Sequence, residues 1–326
     1  MAVLPLTPGI KIHLNGAAMA SFCPGMYQWY GDKQVPEESY PMMHRYVTHL
    51  LSTAKEGILY HGLGDWCDLG PKGPGPSQLT PQGLTPTAMF YYDLTIMKQV
   101  AKLLNENNGI AYYDSLSSTI KTAYNKKFFN PETMQYGSGS QTSNAISVYV
   151  SLVEPQYKDA VVANIVKEIR SRNNSLTAGD IGYRYLLRLL DDNDRSDVIY
   201  DMNSNPSIPG YGYQLKKGAT ALAETWQAFT TNSHNHLMLG HLMEWFYSGL
   251  AGIRPGKNTV AFKEIEIRPQ PVGDVTWART SYHSPYGVIT SSWKKNAGVF
   301  ELDVTIPVNT TATIYLLLRQ PTRQTL

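Results

Sequence analysis

The apolar residues of this 326-residue chain recur at two different periods, and the change between them falls near Pro255-Gly256. Upstream, the steps are of three and four residues, which place side chains on one face of an α-helix. Met43, Tyr46, Val47, Leu50 and Leu51 form one such set. Phe90, Leu94, Met97, Ala101 and Leu104 form a second, and Tyr113, Leu116, Ile120 and Tyr124 a third. The same spacing predicts helices over 161–169, 181–190 and 237–250. Breakers such as Asn107-Asn108-Gly109 and Asn130-Pro131 stand between them, so antiparallel helices on short connections are expected. Downstream the period is two. Phe300, Leu302, Val304 and Ile306 alternate with other residues, as do Ala312, Ile314 and Leu316, and Val260 with Phe262 and Ile265 with Ile267 lead in. A helical domain over residues 1–254, followed by a small β-sandwich over 255–326, is the expected architecture, with its boundary within 253–257.

Charge narrows the functional classes. Lys and Arg number 28 against 26 Asp and Glu, with no basic run interleaved with aromatics, which argues against a nucleic-acid partner. No apolar run approaches the roughly 20 residues needed to span a bilayer, so no membrane role is expected. Cys23 and Cys67 are isolated, giving no basis for a disulfide or zinc framework. Residues 1–20 lack the basic start, apolar centre and small-residue cleavage site of a signal peptide, and neither the compartment nor the oligomeric state can be read. The Pro/Gly-rich stretch from Gly70 to Pro86 reads as a loop, either a flexible linker or the rim of a site.

Chemistry concentrates in 217–236. Glu224 lies among small residues two positions before Trp226, and Asn232-Ser233-His234-Asn235-His236 follows. A carboxylate can serve as general base and an indole can face the apolar side of a pyranose. His or Asn can bind hydroxyls, and together these suit a sugar-cleaving site. The competing reading is a surface Glu at a helix start with Trp226 in the core. Asp65 and Trp66 follow Gly62 and Gly64, which permit close backbone approach. They read as a carboxylate for a sugar hydroxyl beside a stacking platform, or else as a turn with a buried Trp. His234, His236 and His241 lack the spacing of a metal site, so no metal is expected. Gly137-Ser138-Gly139-Ser140 lacks the Lys of a phosphate loop and reads as a helix start.

Four segments in order carry a family resemblance. These are Tyr30-Gly31-Asp32-Lys33 running into Glu38-Ser39-Tyr40-Pro41-Met42-Met43, then Gly62-Leu63-Gly64-Asp65-Trp66, then Gly218-Ala219-Thr220 with Glu224 and Trp226, and last Ser233 with Asn235-His236. The chain resembles the bacterial α-L-rhamnosidases of glycoside hydrolase family 78 from about Gly16 to Thr311. That resemblance implies a mainly α fold, an (α/α)6 toroid followed by an all-β domain. It also implies inverting hydrolysis of terminal α-L-rhamnosides without a cofactor, Glu224 as general base, and Asp65, Trp66, Trp226 and His236 as substrate-binding residues. The expected partner is a rhamnose-containing oligosaccharide or glycoside.

The chain also departs from the family pattern. The family's Asp-Glu-Arg motif, whose Glu is the general acid, has no counterpart, and eight or nine helices are legible where the toroid has twelve. The toroid is therefore expected to be incomplete, and turnover of unactivated rhamnosides by this chain alone to be low. Asn15-Gly16-Ala17-Ala18 lacks the family's Trp, Tyr211-Gly212-Tyr213 replaces Trp-Gly-Tyr, and the link from Glu224 to His236 is short. A toroid glycosidase for another terminal sugar, or a non-catalytic sugar-binding or inert fragment, stand as alternatives.

Overall fold

A computed structural model describes residues 25–228, 232–257 and 259–316. Residues 1–20, which include Asn15-Gly16-Ala17-Ala18, together with Cys23 and the tail beyond Leu316 lie outside the described residues. The described chain divides into a unit running Asp32–Leu242 and a second that joins Gln28–Gly31 to the residues from Met243 onward.

The first unit is helical: α1 Gln34–Thr53, α2 Leu84–Leu103, α3 Asn107–Phe128, α4 Gln141–Tyr149, α5 Lys158–Ser171, α6 Gly182–Asp192, α7 Ser196–Ser204 and α8 Tyr211–Lys216. The three periodic sets do form packed faces. Met43, Val47 and Leu50 of α1 meet Phe90, Leu94, Met97 and Ala101 of α2, and Tyr113 and Ile120 of α3, in one buried cluster. Each large apolar side chain buried there contributes about 1.5–3 kcal/mol. Asn105, left-handed at φ 61°, stops α2 and turns the chain into α3. Ser140 caps α4, its hydroxyl accepting from Ser143 N at 3.1 Å, so Gly137–Ser140 is a helix start. The only strands of this unit among the described residues are the two-residue pair β1 Phe129–Asn130 and β2 Gln135–Tyr136.

Asp93 is an exception inside α2. It is buried, and neither carboxylate oxygen has a hydrogen-bond partner among the described residues. Burial holds its pKa well above the usual carboxylate range. A carboxyl raised in the folded state stabilises the fold fully below its unfolded pKa, and that contribution is lost as pH rises through the folded value. Asp93→Leu is therefore expected to raise stability at pH 8 by about 1–3 kcal/mol. The gain should shrink toward pH 4. Denaturant titrations at both pH values check this, and an equal gain at both would refute the assignment.

The second unit contains two three-stranded sheets. In one, β3 Ile253–Pro255 pairs antiparallel with β4 Glu264–Ile267, which pairs parallel with β8 Thr311–Ile314. In the other, β5 Trp277–Ser284, β6 Gly287–Asn296 and β7 Val299–Thr305 form an antiparallel meander. Ile253, Ile265, Ile267 and Ile289 make its core with Phe262. Trp29, from the early segment, packs on Phe262 and Tyr282 with ring centroids 5.3 and 6.0 Å away. The alternating stretch 299–305 is a strand, as its period requires.

Two expectations fail. Val260 and Phe262 are not strand residues, because Ala261 and Phe262 sit at φ 57° and 64° in a turn. The predicted helix over 237–250 is broken into a 3₁₀ turn Leu237–Leu239, a short helix Leu242–Trp245 and a π turn Phe246–Leu250. Its buried residues are Leu239, Leu242, Trp245, Ser248 and Gly249. No described helix is long and apolar enough to cross a membrane.

Candidate active site

Asp65 anchors the site without being open to it. Its carboxylate is fully buried. One oxygen accepts from the Thr142 hydroxyl and from Gly179 N at 2.9 Å, the other from Ile181 N at 3.1 Å and Gly182 N at 2.8 Å. Burial pushes its pKa up to about 6, against the pull of the bonds from Thr142, Gly179 and Gly182. These donors include the first amides of α6, which a helix leaves unsatisfied. Asp65, expected to contact a sugar hydroxyl, here accepts from the Thr142 hydroxyl and the 179–182 backbone. Glycine is required at 179, where a Cβ would stand 2.1 Å from Trp66 O.

Trp66 and Glu224 do meet. The half-buried indole donates through Nε1 to Glu224 Oε1 at 3.1 Å. Glu224 N donates to Ser233 O at 2.9 Å, Ser233 N reaches Glu224 Oε2 at 3.5 Å, and His236 N donates to Leu222 O at 3.2 Å. This backbone pairing folds 222–224 against 233–236, and so brings His236 to the side of Glu224. The Pro/Gly-rich stretch after Trp66 is ordered rather than a loose linker. Asp68 gathers Ser77 Oγ, Gln78 N and Leu79 N, and Gln78 bonds back to Lys72.

Asp180 joins them, and the sequence reading missed it. Its Oδ2 lies 2.9 Å from His236 Nε2, and its backbone N donates to Trp66 O at 2.9 Å. Burial raises the Asp180 pKa to about 6; the His236 ring opposes that shift, and the charges of Asp65 and Glu224 add to it. The neighbouring Cys67 thiol is pushed up to about 12, first by burial and then by Asp180 and Glu224, so it is not a nucleophile at neutral pH. The only sequence signal for Asp180 is a second Gly-Asp pair, Gly179-Asp180, echoing Gly64-Asp65.

Trp226 is core. It is buried, its Nε1 donates to Ala178 O at 2.8 Å, and its ring meets Tyr183 edge-on at 4.7 Å and Tyr211 at 5.8 Å. The indole expected to face a sugar is enclosed by these contacts. Trp226→Phe should lower stability by about 1–3 kcal/mol and leave sugar affinity unchanged. Calorimetric melting and a sugar titration on one variant check both. Among the described residues, no group of three His, Cys, Asp or Glu side chains is arranged to hold a metal ion. The cluster offers a half-buried carboxylate with an indole donor, and an imidazole with its own carboxylate.

Comparison with known proteins gives a consistent result. Residues 11–250 match the model of the bacterial alpha-L-rhamnosidase 6 hairpin glycosidase domain, and residues 252–325 that of the bacterial alpha-L-rhamnosidase C-terminal domain. An alpha-L-rhamnosidase of Streptomyces avermitilis is 29% identical over 309 residues, which cover 91% of this chain and 29% of the relative. One from Formosa agariphila is 29% identical over 300 residues, covering 89% and 32%. The crystal structure of the Streptomyces avermitilis alpha-L-rhamnosidase complexed with L-rhamnose superposes with a TM-score of 0.85 at 27% identity, over 94% of this chain and 30% of that one. The alpha-L-rhamnosidase structure from Dictyoglumus thermophilum gives 0.84 at 31% identity, over 90% and 34%. The chain therefore spans about a third of the length of the relatives it matches, and its helices followed by a β unit are the arrangement of those structures.

Proposed function

Because this chain belongs to the bacterial alpha-L-rhamnosidase family, we propose that it takes part in inverting hydrolysis of terminal α-L-rhamnosides, with Glu224 as general base. The observation that carries this reading is the Trp66–Glu224 hydrogen bond beside the Asp180–His236 pair. In an inverting reaction one carboxylate removes a proton from the attacking water while an acid protonates the departing oxygen. Glu224 is half-buried, reachable from solvent, and oriented by a donor that cannot take its proton away, since an indole N–H only donates. His236 flanks it as a group for sugar hydroxyls and Trp66 as a stacking platform. Asp65 and Trp226 support them, the first through the 179–182 backbone and the second through packing. Residues 1–254 are read as the catalytic part and 255–326 as an accessory one. Acid–base hydrolysis of this kind needs water and no cofactor. The rhamnose bound to the Streptomyces avermitilis relative supports rhamnose-bearing glycosides as the substrate class.

The test uses an activated aryl glycoside, which asks least of a general acid. The chain is incubated with p-nitrophenyl α-L-rhamnoside and, separately, with p-nitrophenyl α-D-mannoside, and the first-formed anomer is followed by proton NMR. Release of β-L-rhamnose from the first alone is expected. No release, or α-L-rhamnose as the first product, would overturn the reading.

A further inference from the structure

Asp180 has no part in the water-activating chemistry, yet it is built into the site from both sides. Its backbone N is tied to Trp66 O and its side chain to His236, whose own backbone N is tied to Leu222 O, two residues before Glu224. The pair therefore spans the two segments that carry Trp66 and Glu224. It is also layered: the His236 side chain is 18% exposed and that of Asp180 only 8%, so a ligand reaches the imidazole and not the carboxylate behind it. A carboxylate accepts, so the ring nitrogen facing it carries the proton. With Nε2 turned toward Asp180 at 2.9 Å, a ring carrying its proton there has Nδ1 left as an acceptor for a hydroxyl. His236 Nε2, although 2.9 Å from Oδ2, is not aligned for a hydrogen bond to it, so the contact is one of ion-pair distance, and Asp180 Oδ1 is buried without a hydrogen-bond partner among the described residues. Such an acceptor carries a free-energy penalty, which marks Asp180 as costly to keep for packing alone.

We propose that Asp180 is a positioning residue for sugar binding, clamping His236 through Nε2 so that Nδ1 is presented to a hydroxyl of the sugar beside Glu224. The inference rests on the rhamnoside reading for the identity of that sugar. Around the pair stand Asp65 and Glu224, whose charges act on Asp180, and Cys67, on whose thiol Asp180 acts.

A double-mutant cycle with L-rhamnose as the probe tests the clamp, using calorimetric titration of the full 326-residue chain. Asp180→Ala and His236→Ala should each weaken binding by about tenfold, and the double variant should bind no more weakly than His236→Ala alone. Asp180→Asn, whose amide oxygen can still accept from Nε2–H, should recover most of the affinity. Wild-type affinity in Asp180→Ala, or losses that multiply in the double variant, would overturn the proposal. Nitrogen-15 spectra of the His236 ring give an answer that needs no sugar. A ring protonated at Nε2 in the wild type and mixed in Asp180→Ala supports the clamp, and an identical ring in both overturns it. Failure of the wild type to bind L-rhamnose would instead count against the rhamnoside reading, with the ring spectra still deciding whether the clamp exists.

Discussion

Glu224→Gln is expected to lower kcat on rhamnosides by at least about 10²–10⁴-fold, the usual contribution of a positioned general base, while rhamnose affinity and thermal midpoint stay near wild type. Glutamine keeps the size of the side chain, and its Oε1 can still accept the Trp66 Nε1–H that Glu224 accepts at 3.1 Å. What it loses is the ability to take a proton. The side chain is only half-buried, so removing its charge should move stability by no more than about 1 kcal/mol. A fall in kcat without a change in the affinity for rhamnose isolates a transition-state role. In Glu224→Ala, azide can occupy the place of the attacking water, and the product should be the β-L-rhamnosyl azide, of inverted configuration. If Glu224 only ends a turn, kcat in Glu224→Gln will be close to wild type. That outcome would remove it from the mechanism.

Asp65→Asn should destabilise the helical unit by on the order of 2–5 kcal/mol. The substitution preserves shape and changes one acceptor oxygen into an NH2 group. Whichever way the amide turns, that group faces two donors: the Thr142 hydroxyl with Gly179 N, or Ile181 N with Gly182 N. Buried donors without acceptors are costly, and here they include the start of α6. Loosening the 179–182 backbone should also disturb Asp180, so sugar affinity falls as a consequence of the folding defect and recovers with stabilising conditions. Urea unfolding curves on Asp65→Asn decide the matter. Stability within about 1 kcal/mol of wild type, combined with a selective loss of sugar binding, would return Asp65 to the role of direct ligand.

The helical faces were legible because burial imposes the 3.6-residue period on any helix packed on one side. Met43, Val47 and Leu50, or Phe90, Leu94 and Met97, carry that period without interference. The period of two is less specific. It identified 299–305 as a strand, but Val260 and Phe262 show the same spacing across a turn in which two successive residues are left-handed. Within the site, Glu224, Trp66 and His236 stand out as residue types with chemistry, and the folded chain brings them together. Asp65 and Trp226 are the same residue types turned inward. Nothing local distinguishes a carboxylate that accepts four bonds from one awaiting a hydroxyl, or an indole whose N–H is tied to Ala178 O from one with an open face. Asp180 was illegible for the converse reason. Its meaning comes from Trp66 and His236, each far away in sequence and adjacent only after folding.

The central claim is that L-rhamnose is bound at Trp66, Glu224 and His236, and the indole N–H of Trp66 reports on it directly. In proton–nitrogen spectra of the full chain, with that resonance assigned by its loss in Trp66→Phe, L-rhamnose should shift the Trp66 signal saturably. The Trp226 signal, bonded to Ala178 O in the core, should stay in place, and D-mannose should have little effect. A Trp66 resonance unmoved by L-rhamnose, or moved equally by D-mannose, would contradict the account.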